Sequence, residues 1–97
     1  MNNRIENQAE LFRVFANATR LRILQTMVHG ELSVSRIAEQ IGISVQNTSH
    51  HLRFMKDKGL LKSRRVGQKI RYRIANLDLV SDLLSTASRE HPKSEFG

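Results

Sequence analysis

Hydrophobic residues recur at helical spacing along the first third of the chain. A first stripe predicts a helix over about residues 5–16. A second stripe follows Asn17, a residue type that caps helix N-termini, and it ends near Gly30. The first stripe consists of Ile5, Ala9, Leu11, Phe12 and Phe15, and the second of Ala18, Leu21, Leu24, Met27 and Val28.

The next two stripes are short, and their connection is typical of a helix-turn-helix. Ser33 and Ser44 each precede an apolar stripe and can cap a helix, the second of which runs to about Lys58. A helix-turn-helix needs a small residue where its helices cross and a residue that tolerates positive φ in the turn. Ala38 and Gly42 meet these needs. The side chains expected to face the interior are Val34, Ile37, Ile41, Ile43, Val45, Thr48, Leu52 and Met55.

Alternation replaces the helical pattern after Gly59. Leu60–Arg65 and Lys69–Ile74 are predicted strands of a β-hairpin. In the second strand the apolar residues Ile70, Tyr72 and Ile74 are expected to point inward, and the basic residues between them outward. The basic side chains of this hairpin make it a candidate wing beside the preceding helix.

A final helix begins at Asn76 and carries the stripe Leu77, Val80, Leu83, Leu84 and Ala87. The predicted fold is therefore mainly α with a small β-hairpin, a winged helix-turn-helix in the order ααααββα. We expect a single domain over 1–97, ordered from about 5 to 91, with a flexible tail over 92–97 that begins at Pro92.

Positive charge is concentrated in one part of the sequence. Between Arg53 and Arg73 there are nine basic residues and one acid, Asp57, whereas the whole chain carries a net charge of +7. A cationic surface on a nearly neutral body is expected for a protein that binds a polyanion such as nucleic acid. A solvated basic face without a partner is the alternative interpretation.

The composition excludes several classes of function. The sequence contains no cysteine, which excludes thiol catalysis, disulfide switching and Cys-ligated metal sites. It also contains no phosphate-binding glycine loop and no paired carboxylates in a predicted cleft, so we expect no enzyme activity. Since no apolar run has the length of a signal core or a membrane span, we expect a cytoplasmic protein.

Four segments resemble the ArsR/SmtB family of winged-helix repressors. They are Phe15–Leu24, Glu31–Ala38, Ile43–Leu52 and Lys62–Tyr72. The resemblance covers about residues 5–91 and implies a homodimer that binds duplex DNA at an inverted-repeat operator and leaves it when an effector is sensed. The sequence supports a dimer independently, because both terminal helices carry more apolar surface than so short a chain can cover.

The predicted DNA-binding residues lie on the second helix of the helix-turn-helix and on the hairpin. The resemblance implies DNA contacts at Ser44, Gln46, Ser49, His50, Arg65, Gln68 and Lys69. The side chains of Val45, Asn47, Arg53, Arg64 and Arg71 complete the predicted set. The alternative classes are a protein-interaction module and an RNA-binding module. Because RNA-binding sheets expose stacking aromatic residues and Tyr72 is expected to point inward, the pattern favours duplex DNA.

The predicted dimer interface joins the first and last helices through Leu11, Phe12, Phe15, Leu77, Val80, Leu83, Leu84 and Ala87. Many relatives hold soft metals through paired cysteines where this chain has Ser33 and Ser35, so we expect no soft-metal sensing and no cofactor. A divergent zinc-type sensor on the last helix is the alternative, with Asp78 and His91 as its candidate ligands. The effector is unknown from the sequence.

Overall fold

The computed structural model of the protein describes residues 3–88, and within that part it contains five helices and one three-stranded sheet. The elements are α1 (Arg4–Phe15), α2 (Ala18–Thr26), β1 (Leu32–Ser33), α3 (Val34–Ile41), α4 (Val45–Asp57), β2 (Leu61–Val66), β3 (Lys69–Ile74) and α5 (Leu77–Ser88). The predicted order is confirmed, with one addition, the two-residue strand β1. Within residues 3–88, no helix has the length and apolar character that crossing a membrane requires.

Side-chain caps determine where four of the helices begin. The side chains of Asn17, Ser33, Ser44 and Asn76 each accept a hydrogen bond from the backbone amide three residues later. The donor–acceptor distances are 3.0, 3.2, 2.9 and 3.1 Å in that order. Each bond satisfies an amide that has no partner within its own helix. All four predicted caps are confirmed.

The turn between α3 and α4 has the predicted helix-turn-helix geometry. Ala38 is 3% exposed, so its methyl group lies where the two helices approach each other. Gly42 adopts φ +75°, a left-handed conformation that glycine reaches without strain. The carbonyl of Ala38 accepts hydrogen bonds from the amides of Gly42 and Ile43, at 2.9 and 3.2 Å. Both residues singled out from the sequence therefore have the expected roles.

The core lies between α2, α3, α4 and the base of the sheet. Its fully buried side chains include Ile23, Leu24, Ile37, Leu52 and Met55. Helix α1 contributes Val14, which the predicted stripe did not include, and Leu11 and Phe15 only in part. Ile5 and Phe12 of that stripe are 76% and 61% exposed because they lie on the side of α1 that faces away from the core.

The sheet has the order β1–β3–β2 with antiparallel neighbours. Leu61 and Ile74 pair at its buried base, and Tyr72, 4% exposed, points inward as predicted. Ile70 shares the face of Tyr72 but is 39% exposed. It pairs with Arg65 toward the hairpin tip, where both strands extend past the core and residues 64–70 are exposed. The predicted side of the strand is therefore right for Ile70, but the residue is not part of the core, because alternation along a strand does not show where the underlying core ends.

Helix α5 also closes the core of its own chain. Val80 is completely buried and Leu84 is 8% exposed, so both belong to the core of their own chain. Val80 has no surface left for a second copy, which contradicts its predicted place in the dimer interface, and the partner contact of Leu84 stays a prediction. Leu77 is 45% exposed and Leu83 is half-buried. The side chain of Ala87 lies outside the described residues.

Candidate nucleic-acid interface

Helix α4 has one buried and one polar face. Thr48, Leu52 and Met55 are completely buried, because they recur at helical spacing toward α3 and the sheet. The predicted contact residues Gln46, Asn47, His50 and Arg53 are exposed, and Ser49 is half-buried. The outward side of α4 therefore carries amide, imidazole and guanidinium groups that can hydrogen-bond to base edges or phosphates.

The N-terminus of α4 is stabilised by its own first turn. Ser44 caps the amide of Asn47, and the hydroxyl of buried Thr48 donates to the carbonyl of Ser44 at 2.8 Å. The Ser44 hydroxyl accepts in this arrangement, so its proton is available for an outside acceptor. Val45 is 52% exposed rather than interior, because as the first residue of α4 it precedes the turn that α3 covers. It is an apolar group at the exposed end of the helix.

Neighbouring histidines on α4 have different surroundings. The His50 and His51 rings meet edge to face, with centroids 5.8 Å apart, but His50 is exposed and His51 is half-buried. Burial, followed by the charges of Arg20 and His50, lowers the pKa of His51. His51 Nδ1 is buried without a hydrogen-bond partner. His50 is the histidine whose ring faces outward.

The hairpin β2–β3 is the wing. Arg65, Gln68 and Lys69 are exposed at and beside its turn, where Gly67 adopts φ +63°. Among residues 3–88, none of these three side chains has an ion-pair or hydrogen-bond partner that reduces its capacity to bind phosphate. Helix α4 packs against β2, so the wing begins directly beside the polar helix. Two surfaces predicted separately from the sequence are thus adjacent in the fold.

The structure gives two predicted contact residues, Arg64 and Arg71, a partner within the chain. Arg64 Nε and Arg71 Nε donate to the carboxylate of Glu31 at 2.7 and 3.1 Å. The pKa of Glu31 is lowered, mainly by the hydrogen bond from Arg64. Glu31 itself was missed, since no local pattern relates it to residues 33 and 40 positions away. The only sequence signal for a role of Glu31 was an acidic side chain shortly before the third helix.

A second set of contacts joins α4 to the first two helices. Lys58 donates to Glu10 at 3.0 Å and lies 5.5 Å from the centre of the Phe54 ring. Arg20 lies 4.7 Å from the same ring and donates to the carbonyl of Val14 at 2.9 Å. Cations above an aromatic face are attracted by its π electrons. These contacts hold the C-terminal half of α4 in place and occupy Lys58.

The candidate metal ligands do not form a site in the described part of the chain. Residues 3–88 contain no group of three or more His, Asp or Glu side chains that could hold an ion. Asp78 lies in the first turn of α5, where a carboxylate interacts favourably with the helix dipole. His91 lies outside the described residues.

Comparison with known proteins places these features in one family. Residues 15–64 match a family described as a helix-turn-helix domain. The HTH-type transcriptional regulator KmtR of Mycobacterium tuberculosis is 36% identical over 86% of this chain and 66% of its own length. A probable mercury resistance operon repressor of Streptomyces lividans is 37% identical over 84% of this chain and 65% of its own length. The chain thus spans slightly less than two thirds of these relatives.

The fold has a solved counterpart. The homodimeric winged helix-turn-helix DNA-binding domain of a possible ArsR-family regulator from Mycobacterium bovis superimposes with a TM-score of 0.81. The two are 27% identical, and the match covers 94% of this chain and 96% of that one. The winged helix-turn-helix predicted from the sequence is therefore confirmed.

Proposed function

The chain belongs to the ArsR/SmtB family of winged helix-turn-helix transcriptional repressors, and from that premise we propose that it binds duplex DNA as a homodimer and represses transcription. The family consists of transcriptional regulators and not of enzymes. We place the protein with its DNA in the cytoplasm.

The observation that carries the proposal is the adjacency of two binding surfaces. Helix α4 presents Gln46, Asn47 and His50 to solvent, and the wing packed beside it presents Arg65 and Lys69. An exposed polar helix can read base edges in a major groove, while the wing cations bind phosphates and set the orientation. The buried position of Tyr72 supports duplex DNA over RNA, since it leaves the sheet without a stacking aromatic.

The dimer is proposed from exposed apolar surface on the terminal helices. Ile5 and Phe12 on α1 and Leu77 and Leu79 on α5 are all at least 37% exposed. Large apolar side chains that are exposed in one chain are stabilised when a second protein chain covers them. The homodimeric relative from Mycobacterium bovis supports the same assembly. A two-fold dimer presents two α4 helices to half-sites about one helical turn, roughly 10 base pairs, apart.

Regulation by soft metals is not part of the proposal, although one relative is described as a mercury resistance repressor. Ser33 accepts the capping bond of α3, and Ser35 is an exposed neutral hydroxyl. Neither offers the thiolate that soft metals prefer. We therefore propose that cadmium and arsenite leave DNA affinity unchanged. We propose the same for zinc, since residues 3–88 hold no group of three or more His, Asp or Glu side chains that could bind it, and a titration of the protein–operator complex with each ion tests this.

Selection of bound duplexes from a random pool, followed by competition with single-stranded RNA, tests the function. We expect the selected sequences to contain an inverted repeat and the RNA to compete weakly. Equal competition by RNA contradicts the duplex proposal. Recovery of no common sequence contradicts specific binding and favours a protein-interaction module.

A further inference from the structure

On the outer face of the wing, positively charged side chains lie opposite one another and repel. Arg64 lies directly opposite Arg71, and Lys62 directly opposite Arg73, in the antiparallel pairing of β2 and β3. Residues two apart on a strand share a face, so all four cations lie on the same side of the hairpin. Like charges placed directly opposite each other destabilise a sheet. The hairpin therefore needs a negative charge close to this face.

Glu31 supplies that charge from the loop between α2 and β1. Arg64 donates two hydrogen bonds to its carboxylate, at 2.7 and 2.8 Å, and Arg71 donates one at 3.1 Å. Arg71 also reaches the backbone carbonyl of Glu31 at 3.5 Å. The Glu31 side chain is only 20% exposed, whereas that of Arg64 is 64% exposed. Both carboxylate oxygens are thus engaged by the wing, in a partly desolvated position.

Little else ties the outer half of the hairpin to the body. Strand β1 is two residues long and pairs with β3 only at Leu32–Tyr72 and Ser33–Arg71. Past that point residues 65–69 are exposed and pair with no strand outside the hairpin. Short strands with one paired neighbour open easily. The charged contact at Glu31 lies at the boundary between the anchored base of the wing and its free tip.

We propose that Glu31 is a positioning residue for DNA recognition. It holds the wing at one angle beside α4. By pairing with Arg64 and Arg71, it also prevents these two side chains from binding DNA phosphates non-specifically. An acidic side chain in a cationic wing thereby reduces non-specific affinity and increases discrimination between DNA sequences. The inference rests on the proposed DNA-binding function.

The first test compares Glu31→Gln with Glu39→Gln. Glu39 is an exposed acid on α3 that pairs with Arg36, so its substitution removes the same charge away from the wing. For Glu31→Gln we expect tighter binding to random duplex, at least threefold, and a steeper salt dependence, by up to ~0.9 per phosphate gained. The ratio of operator to random affinity should fall. Identical behaviour of the two variants overturns the proposal.

The second test shows whether Glu31 acts through the wing arginines. In the variant Glu31→Gln combined with Arg64→Gln, one freed cation is removed, and the salt dependence should return toward that of the wild type. The reversed pair, Glu31→Arg with Arg64→Glu, should restore part of the discrimination between operator and random DNA. If both combinations behave as the sum of their single substitutions, the pair is not coupled and the proposal is wrong.

The third test does not need DNA and separates the two proposals. Amide hydrogen exchange of the free protein reports local opening of β3. We expect exchange from residues 69–71 to become about tenfold faster in Glu31→Gln and to stay unchanged in Glu39→Gln. Unchanged exchange in both variants overturns the positioning role even if DNA binds. Faster exchange in a protein that binds no duplex contradicts the proposed function and leaves the wing contact established.

Discussion

We expect the substitution Lys69→Ala at the wing tip to reduce the salt dependence of the proposed DNA binding by an amount that follows from the number of cations available for phosphate contacts. Of the nine basic residues between Arg53 and Arg73, Arg64 and Arg71 are bound by Glu31, and Lys58 by Glu10. These three are poor phosphate ligands. Six basic residues remain exposed without such a partner within residues 3–88, and three of these belong to the predicted DNA contacts, namely Arg53, Arg65 and Lys69.

These three predicted contact residues in each protomer give six phosphate contacts in a dimer. With a loss of ~0.9 in the log–log slope per phosphate, the slope of affinity against salt concentration is about −5.4. Lys69→Ala removes one contact per protomer and should reduce the slope to about −3.6 by the same rule. Because a phosphate carries no sequence information, the variant should weaken binding to operator and random duplex by the same factor.

Fluorescence anisotropy with one labelled operator at several salt concentrations measures the slope. Arg22→Ala is the matched control, since Arg22 is exposed on α2 and lies outside the proposed surface. The control should keep the wild-type slope. A wild-type slope near zero, or an equal reduction in Lys69→Ala and Arg22→Ala, refutes the assignment of phosphate contacts to the wing tip.

Three further predictions concern base reading, assembly and pH. Gln46→Ala should relax base preference at one position per half-site, by about 1–3 kcal/mol, which binding to a set of single-base operator variants measures. Phe12→Asp changes a side chain that is 61% exposed, so the protomer should stay folded while the dimer dissociates in sedimentation experiments; an intact dimer contradicts the proposed interface. Since Arg64 lowers the pKa of Glu31, the stability that Glu31 contributes is present above the ordinary carboxyl pKa and is lost as the pH falls through the lowered value. Glu31→Gln should therefore unfold more easily than the wild type at pH 7 and equally easily in acid, as followed by thermal unfolding.

Much of the fold was predictable because its signals are local. The caps at Asn17, Ser33, Ser44 and Asn76 act on amides three residues later, and the turn at Gly42 depends on one backbone angle. The polar face of α4 follows from helical spacing alone. The residue-level assignments of DNA contacts stay predictions.

The buried side of each terminal helix was harder to predict. Both α1 and α5 carry apolar residues on more than one side, so spacing alone could not tell core from exposed surface. The structure directs Val14 of α1 and Val80 and Leu84 of α5 into the core, and leaves Phe12 and Leu77 at the surface. Which side of an apolar helix is buried depends on the elements that pack against it.

The sequence by itself determined the order of the helices, their starts, the turn of the helix-turn-helix and the place of the cationic hairpin, since each depends on residues within one or two turns of chain. Only the tertiary structure decided which of the cations are free. Glu31 meets Arg64 and Arg71 across 33 and 40 residues, and Glu10 meets Lys58 across the α1–α4 contact. Such ion pairs are formed by the packing of distant elements, and a linear pattern of charges cannot show them.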